Sequence, residues 1–330
     1  MKIAIIGAGA IGSVVAAYLT KAGEDVTLVA RDPERVRVLN ASGLTVIGAR
    51  GRETIKVRAL TGLDQEYDLV IFATKTQDLE DAYQYNNKFL DNGIILSSQN
   101  GVQADSILGI HIEKERLLSS IVMFGATYCE PGKVTFNFEG DWIIGKPYGP
   151  VDAQTHAVAD VLRKAFPVTV STNIAGMKWT KLFVNFNNCL PALLGKSMQE
   201  TFADMDFCRL SVRLLKEGAA IVQQAKVDLV SLPAFPVERV YGMASMPEEQ
   251  AAAILNKTLT SLSKEPVYGS ILQSIKRGRT SEIDFINGEV VALAKQMRTS
   301  AVLNEKIVDL VHEVERTGIY LSPKALKESF

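Results

Sequence analysis

The chain has 330 residues, of which 47% are hydrophobic and 22% are charged, and its formal net charge at pH 7 is −1. This length predicts two domains, and the composition is that of an ordinary globular protein with enough apolar side chains for substantial cores. The balanced charge, without a basic cluster interleaved with aromatic residues, excludes a nucleic-acid-binding surface. Three cysteines and three histidines show neither CxxC nor metal-ligand spacing, so we predict no metal site and no disulfide framework.

The N-terminus carries one lysine, Lys2, and then enters a short apolar run. It lacks the succession of charged, apolar and small residues that marks a signal peptide. No apolar run approaches the roughly 20 residues that span a bilayer. We therefore expect a cytoplasmic protein that binds neither a membrane nor nucleic acid.

The first predicted βαβ unit begins at the N-terminus, where residues 2–6 form an apolar run and a helical pattern starts at Ile11. Between them lies the segment Gly7-Ala8-Gly9-Ala10-Ile11-Gly12. Gly7 permits a tight turn, Gly9 lets the backbone approach a pyrophosphate, and Gly12 lets the helix pack on the sheet. The strand before and the helix after make this a dinucleotide-binding fingerprint, and the alternative is a glycine-rich turn without a ligand.

The second predicted strand, residues 25–30, is followed by Arg31. NAD-preferring enzymes usually carry an acidic residue near this position, whereas an arginine would meet a 2′-phosphate. We therefore predict NADP(H) as the cofactor. Two alternatives stay open: Asp32 takes the acidic role, or Arg31 is merely solvated beside a helix that opens at Asp32-Pro33-Glu34.

Two buried strands, residues 68–73 and 93–97, end in polar segments. Ligands in open α/β sheets bind beyond the carboxyl ends of strands, which directs attention to Thr74-Lys75 and Gln99-Asn100-Gly101. The other predicted elements of the first domain are a hairpin of 44–47 with 54–60, a strand at 117–124, a hairpin of 134–138 with 142–145, a helix after Gly149-Pro150 and a strand at 168–170.

From about Asn173 the pattern becomes helical, with apolar residues spaced by three and four, as at Leu210, Leu214 and Leu215. We predict a Rossmann-type α/β domain at residues 1–172 and an all-α domain at residues 173–330.

The helical domain opens with a segment, residues 179–189, in which Lys181, Asn185, Asn188 and Cys189 fall near one stripe of a helix. Such a stripe usually faces water. Here the rest of the helix is apolar, which favours a polar cleft instead.

Residues 270–288 predict a helix that starts at Ser270, a glycine-containing loop and a second helix capped by Thr280 or Ser281. Glu282 would then lie in the first turn, where the helix dipole favours a carboxylate. Capping and chemistry explain this residue equally well.

The chain resembles the ketopantoate reductases (2-dehydropantoate 2-reductases) over nearly its whole length. The residues that carry the resemblance are GAGAIG at the start, Arg31, Lys75, Gln99-Asn100-Gly101, the Trp-x-Lys-Leu-x-x-Asn of residues 179–185 and the Ser-Glu-Ile-Asp-Phe-Ile-Asn-Gly of residues 281–288.

This resemblance implies a 6-phosphogluconate-dehydrogenase-like fold and an NADP-dependent oxidoreductase of pantothenate biosynthesis that reduces a small 2-oxo acid. It implies that Lys181 is the general acid and that Glu282 lies at the active site, in contact with substrate or cofactor. Asn100, Asn185 and Ser270 would hold substrate or cofactor, and Lys75 would lie beside the cofactor. A helical second domain of this kind is compatible with a homodimer, and the sequence leaves the oligomeric state open.

The chain departs from the family pattern at two positions. The family's second helix asparagine aligns with Cys189, with Asn188 one place earlier, and a frequent aspartate is replaced by Ser274. Both lie where substrate would be held, so the identity of the 2-oxo acid stays open. The alternatives are a reductase of another 2-oxo or 3-oxo acid, a non-catalytic NADPH-binding sensor, and a methyltransferase or other nucleotide binder.

Overall fold

The computed structural model describes residues 1–330, which divide into two compact units, Met1–Ala175 and Gly176–Phe330. The boundary predicted from the sequence, between residues 172 and 173, lies three residues before this division.

The first unit contains twelve strands and five helices, and a sixth helix, α6 (Ile174–Asn185), begins at its end. The strands are β1 (Lys2–Ile6), β2 (Asp25–Val29), β3 (Leu44–Gly48), β4 (Gly51–Ile55), β5 (Arg58–Leu60), β6 (Leu69–Phe72), β7 (Ile94–Ser97), β8 (Leu117–Val122), β9 (Gly125–Glu130), β10 (Lys133–Phe138), β11 (Trp142–Gly145) and β12 (Val168–Ser171). The helices are α1 (Ala10–Lys21), α2 (Pro33–Ser42), α3 (Leu79–Asn86), α4 (Ala104–Leu108) and α5 (Ala153–Arg163).

Eight of these strands form one sheet in the order β12-β11-β8-β7-β6-β1-β2-β5. The six strands from β8 to β5 run parallel, and β11 pairs antiparallel with β8. Parallel strands buried on both faces are typical of a doubly wound α/β domain. The predicted Rossmann-type domain is confirmed.

Alternate side chains of β1 belong to two different buried clusters of this unit. Ile3 and Ile5 belong to one buried cluster, together with the aromatic rings of Phe136, Trp142 and Phe166. Ala4 and Ile6 belong to a second cluster on the other face. Successive strand side chains point to opposite faces, so one short apolar run supplies both layers.

The predicted hairpin of residues 44–47 with 54–60 is wrong in its second arm. β3 and β4 do pair antiparallel, from Leu44 with Ile55 to Gly48 with Gly51. Because β3 begins at Leu44, the chain beyond Ile55 has no partner there, and β5 instead joins the main sheet beside β2. The hairpin itself lies in a separate four-stranded sheet, β4-β3-β10-β9.

The predicted hairpin of residues 134–138 with 142–145 is wrong, because its two arms lie in different sheets. β10 pairs antiparallel with β9, whereas β11 pairs with β8 and β12. The sequence of β9, Gly-Ala-Thr-Tyr-Cys-Glu, lacks an alternating apolar pattern that would predict a strand. A turn signal between β9 and β10 is present as Pro131-Gly132, where Gly132 has a φ of +77°.

The second unit continues from α6 as a helical assembly without a strand, and the predicted all-α domain is confirmed. Its longest helix, α9, places Leu210, Leu214 and Leu215 in the interior, as their spacing predicted. No helix in the structure combines the length and apolarity needed to cross a membrane. The helices after α6 are α7 (Cys189–Leu194), α8 (Met198–Phe202), α9 (Met205–Gln224), α10 (Glu238–Ser245), α11 (Glu248–Thr260), α12 (Ser270–Ile275), α13 (Asn287–Gln296), α14 (Val302–Thr317) and α15 (Pro323–Glu328).

Asp152 fixes the start of α5 through two kinds of contact. Its carboxylate accepts from the backbone N–H of Thr155 at 2.9 Å and pairs with the buried Lys146 at 2.6 Å. Burial would raise the pKa of Asp152, but the hydrogen bonds with Lys146 and Thr155 outweigh it and lower the pKa to about 2.

We expect Asp152→Ala to lower the free energy of unfolding by about 1–2 kcal/mol at pH 7, because both the cap and the ion pair are lost. Since the folded-state pKa is depressed, the ion-pair part of this difference is present above the unfolded pKa of about 4 and is lost as the pH falls towards 2. Urea unfolding at pH 7 and pH 3 measures both values. The control is Asp160→Ala, which removes an exposed carboxylate from the same helix. An equal loss of unfolding free energy in the two variants would contradict the role of Asp152 as helix cap and ion-pair partner.

Candidate functional site

The glycine-rich turn of the first unit lies where three strands end. The N–H of Gly7 donates to Val29 at the end of β2, and the N–H of Ala73 after β6 donates to Ile6. Gly7 has a φ of +118°, and a Cβ there would lie 2.7 Å from the carbonyl carbon of Ala73. The tight turn predicted for Gly7 is therefore enforced both by its backbone conformation and by the neighbouring chain.

Gly9 and Gly12 differ in what surrounds them. A Cβ at Gly12 would lie 2.0 Å from the carbonyl oxygen of Gly7, so this glycine serves close packing inside the protein. A Cβ at Gly9 would have no protein atom within 4 Å, and this residue caps α1 without a side-chain hydrogen bond. The first-turn amides of α1, among them those of Ala10 and Ile11, thus begin beside open space, which is the geometry of a phosphate-binding helix start.

Arg31 lies at the carboxyl end of β2 with most of its side chain exposed, and its guanidinium is 3.7 Å from a carboxylate oxygen of Asp78. Asp32 is occupied elsewhere, because its carboxylate caps α2 by accepting from the N–H of Glu34 at 3.0 Å. A second arginine that the sequence did not single out, Arg35, donates to the carbonyl oxygen of Ala8 at 3.2 Å. The only feature of the sequence that could have indicated Arg35 is its position in the first turn of α2, shortly after the end of β2.

Lys75 and Asn100 follow adjacent strands, and the structure ties their segments together. The hydroxyl of Thr76 donates to the carbonyl oxygen of Asn100 at 3.1 Å. The side-chain amide of Gln99 donates to the carbonyl oxygens of Phe72 and Thr74. Gln99 therefore holds the ends of β6 and β7 together, while Lys75 and Asn100 keep partly exposed side chains at the same edge as the fingerprint.

In the second unit, the predicted continuous helix over residues 179–189 is wrong. α6 ends at Asn185, a 3₁₀ turn covers Phe186–Asn188, and α7 starts at Cys189. Pro191 explains the break, because its ring excludes an α-helical hydrogen bond to the carbonyl of Asn187.

The break removes Cys189 from the polar stripe. Each 3₁₀ residue advances by about 120° instead of about 100°, so Asn188 falls directly in line with Asn185 and Cys189 is turned about 100° away. Cys189 is fully buried, its thiol lies 3.1 Å from the carbonyl oxygen of Phe186, and burial raises its pKa to about 12. The stripe that remains consists of Lys181, Asn185 and Asn188.

Lys181 has no counter-ion. Its side chain is half-buried and makes neither a salt bridge nor a hydrogen bond, and no carboxylate contributes to its pKa. Burial alone lowers the pKa of Lys181 to about 8. A lysine held in this way destabilises the fold and has an ammonium that loses its proton near pH 8 rather than above pH 10.

The side of α6 and its 3₁₀ turn that faces away from the stripe packs against α9. The rings of Phe183 and Phe186 lie 4.9 Å apart, and both contact Gly218, where a Cβ would be 2.8 Å from the Phe186 ring. Asn187 accepts a hydrogen bond from the hydroxyl of Ser211, also on α9. These contacts fix the rotation of α6 and thereby the direction of the Lys181 stripe.

The predicted placement of Glu282 in the first turn of a helix is wrong. α13 starts only at Asn287, and Glu282 precedes a 3₁₀ turn at Ile283–Phe285. Ser281 is held by a hydrogen bond from its N–H to Glu315 at 2.6 Å, and its hydroxyl accepts from the N–H of Ile283. Glu282 is half-buried, lies outside the first turn of a helix and makes no ion pair with Lys181.

Ser270 is the first residue of α12 and its side chain is exposed. The glycine before it, Gly269, packs against the stripe, since a Cβ there would lie 2.5 Å from the amide oxygen of Asn188. The structure thus brings the start of α12 next to Asn188. Ser274 is buried and its hydroxyl donates to the carbonyl oxygen of Ser270.

Comparison with known proteins identifies relatives for both units. Residues 3–149 match the family model described as ketopantoate reductase PanE/ApbA, and residues 173–315 match the model of its C-terminal part. A 2-dehydropantoate 2-reductase of Pyrococcus horikoshii is 32% identical over 96% of this chain and 99% of its own length.

Two solved structures share the fold over 96% of this chain and 99% of theirs. A PanE/ApbA family ketopantoate reductase from Ralstonia eutropha has a TM-score of 0.81 at 26% identity. A D-mandelate dehydrogenase in complex with NADH has a TM-score of 0.81 at 25% identity. The family matches confirm the oxidoreductase class and the resemblance predicted from the sequence: the chain belongs to the ketopantoate reductase family.

Proposed function

We propose that this protein reduces 2-dehydropantoate (ketopantoate) to pantoate with NADPH and that Lys181 is the general acid. The observation that carries the proposal is the unpaired ammonium of the half-buried Lys181, whose pKa is lowered to about 8. It lies on a stripe with two amide side chains, Asn185 and Asn188, in a family whose relatives are named for this reaction.

The residues at the strand ends of the first unit fit a dinucleotide. The open face of Gly9 and the uncapped start of α1 suit a pyrophosphate, and no acidic residue occupies the first turn of α1. Arg31 and Arg35 supply positive charge for a 2′-phosphate, while the carboxylate of Asp32 is used as a helix cap. We infer from this a preference for NADP(H) over NAD(H), with Lys75 and Asn100 also on the cofactor side.

When bound, the reduced nicotinamide supplies the hydride. Reduction at C2 of the oxo acid would break the carbonyl π bond and leave negative charge on its oxygen, so the protein must supply a proton there. Protonated Lys181 stabilises that charge and transfers a proton to the oxygen, which completes the alcohol. With a pKa of about 8 the ammonium is charged at neutral pH and yet a better proton donor than an ordinary lysine.

The remaining polar groups of the second unit orient the substrate. Asn185 has no protein partner for its amide, and Ser270 exposes its hydroxyl, so both are available to a carboxylate or hydroxyl of the substrate. We propose that Glu282 accepts a hydrogen bond from a hydroxyl of the substrate or of the nicotinamide ribose. These roles require groups that are held in place before binding, as the Ser281–Glu315 contact and the packing of α6 on α9 provide.

Replacing Lys181 should stabilise the fold. Below pH 8 the wild type carries a desolvated charge, so we expect Lys181→Met to raise the free energy of unfolding by about 1–3 kcal/mol at pH 7. Because the folded-state pKa lies below the unfolded value, the unfolded chain binds more protons between about pH 8 and pH 10.5, and wild-type stability rises over this range.

The gain of Lys181→Met over wild type should therefore shrink by pH 10.5, which urea unfolding at pH 7 and pH 10.5 measures. Lys257→Met, at an exposed position of α11, is the matched control and should change stability little. A Lys181→Met variant that is less stable than wild type at pH 7 would show that neighbouring groups compensate the charge of the ammonium, and would contradict this prediction.

Gly9 and Gly12 offer a test of the cofactor site. Gly9→Ala should keep the wild-type Tm, since its methyl group meets no protein atom, and should weaken NADPH binding about tenfold or more. Gly12→Ala should lower the Tm because its methyl group collides with the carbonyl of Gly7. Thermal unfolding and NADPH fluorescence titration measure these effects, with Gly242→Ala as the harmless control; unaltered NADPH affinity in Gly9→Ala would place the dinucleotide elsewhere.

The direct test of function is NADPH or NADH oxidation at 340 nm with ketopantoate and with benzoylformate, the oxo acid related to mandelate. We expect turnover of ketopantoate with NADPH, and a kcat about 10²- to 10⁴-fold lower in Lys181→Ala with NADPH binding retained. Preference for benzoylformate and NADH would instead support the activity named for the mandelate dehydrogenase neighbour. NADPH binding without turnover of any oxo acid would support a sensor.

A further inference from the structure

We propose that His312 is a positioning residue that holds Glu282 in place for the reaction. It does so by linking α14 to both ends of the Glu282 segment, which comprises residues 281–284. The inference rests on the proposed function, because it takes Glu282 to contact the substrate or the nicotinamide ribose. His312 acts on the reaction only through Glu282.

Helix α14 contacts the Glu282 segment at both of its ends. At the first end, the N–H of Ser281 donates to a carboxylate oxygen of Glu315 at 2.6 Å. At the other end, Nε2 of His312 donates to a carboxylate oxygen of Asp284 at 2.9 Å. His312 and Glu315 lie three residues apart on α14, so their side chains share one face of this helix. Glu282 thus lies between two points that are held by the same helix.

His312 also joins these two contacts to each other. Its Nδ1 donates at 3.1 Å to the second carboxylate oxygen of Glu315, the one that Ser281 does not use. The Glu315 side chain is only 11% exposed, so its orientation depends on the protein groups that donate to it. Removing the ring of His312 would therefore loosen the contact at Ser281 as well as the contact at Asp284.

This arrangement requires the charged form of His312. Both partners are carboxylates, which only accept, and only the imidazolium carries an N–H on each ring nitrogen. Burial would lower the pKa of His312, but the hydrogen bonds with Asp284 and Glu315 outweigh it and raise the pKa above 6.5. The double contact is therefore complete below the unfolded pKa of about 6.5 and is lost as the pH rises through the higher folded-state pKa.

Other ionisable groups on the elements that pack against α14 act elsewhere. On α7 the ionisable group is the buried thiol of Cys189, which stays neutral because its pKa is raised to about 12. On α9, Glu217 accepts from backbone N–H groups at the start of α14. On α13, Lys295 pairs with a glutamate in the first turn of α14. The pH response of the Glu282 segment therefore belongs to His312 and its two carboxylate partners.

A double-mutant cycle tests whether His312 acts through Glu282. We expect His312→Ala to lower kcat for ketopantoate about 5- to 30-fold at pH 6, because Glu282 is no longer held in place. In a Glu282→Gln background the same substitution should change kcat by less than about twofold. Lys295→Ala, which removes an exposed ion pair between α13 and α14, is the matched control and should keep the wild-type kcat. An equal loss of kcat in both backgrounds would show a general structural role and overturn the inference.

His312→Arg tests the role of the charge, and it serves in place of the alanine variant if that variant does not fold. A guanidinium stays charged at high pH and can donate to both carboxylates. The ratio of wild-type kcat to His312→Arg kcat should fall from about 1 at pH 6 to about one third or less at pH 9. Lys181 titrates in both proteins, so its effect on kcat cancels in this ratio.

The two possible failures are distinguishable. A ratio that stays constant between pH 6 and pH 9 overturns the role of His312 and leaves the proposed function standing. A wild type that reduces no oxo acid with either dinucleotide overturns both.

Discussion

The desolvated ammonium of Lys181 is the constraint around which the second unit is built. Placing a charge among protein atoms without a counter-ion is unfavourable, and no carboxylate in the structure compensates for it. The surrounding segment offsets this destabilisation through apolar packing: Leu182, Phe183 and Phe186 are each at most 3% exposed. A local destabilisation without a structural benefit is typical of a residue that is kept for chemistry.

The same segment shows how a small change in helix geometry alters which side chains share one face of a helix. Pro191 forces a 3₁₀ turn after α6, and the turn redirects two neighbouring side chains in opposite senses. Asn188 moves into line with Asn185, whereas the Cys189 thiol turns into the core. At Cys189, where the chain departs from the family pattern, the thiol is therefore buried, and the stripe carries the amide of the preceding residue, Asn188.

Much of the architecture could be predicted from local sequence. The fingerprint strand and helix, the buried strands and the helical second domain follow from apolar periodicity and glycine spacing, which are local properties. The errors arose where pairing is not local. Residues 134–138 and 142–145 are neighbours in sequence, yet each pairs with a different strand, and β9 carries no alternating pattern that would have revealed it. Strand partners depend on distant segments, which periodicity does not encode.

For the candidate site, residue types and their approximate places were predictable, but their environments were not. The sequence singled out Lys181, Asn185 and Glu282, whereas the absence of a counter-ion at Lys181 and the loop position of Glu282 depend on packing. Arg35 became visible only through its hydrogen bond to Ala8, since an arginine on a polar helix face carries no distinguishing pattern. In each case the missing information was the tertiary neighbourhood of a side chain.

The acid role proposed for Lys181 depends on one proton, and the pKa of that proton can be observed directly. Reductive ¹³C-methylation of the lysines followed by NMR titration, with Lys181→Arg to assign the signal, reports the ionisation of this single amine. We expect a midpoint for Lys181 at about 8. A midpoint near the ordinary lysine value of about 10.4 would show that the ammonium is solvated or paired, and would contradict the assignment of Lys181 as a poised acid.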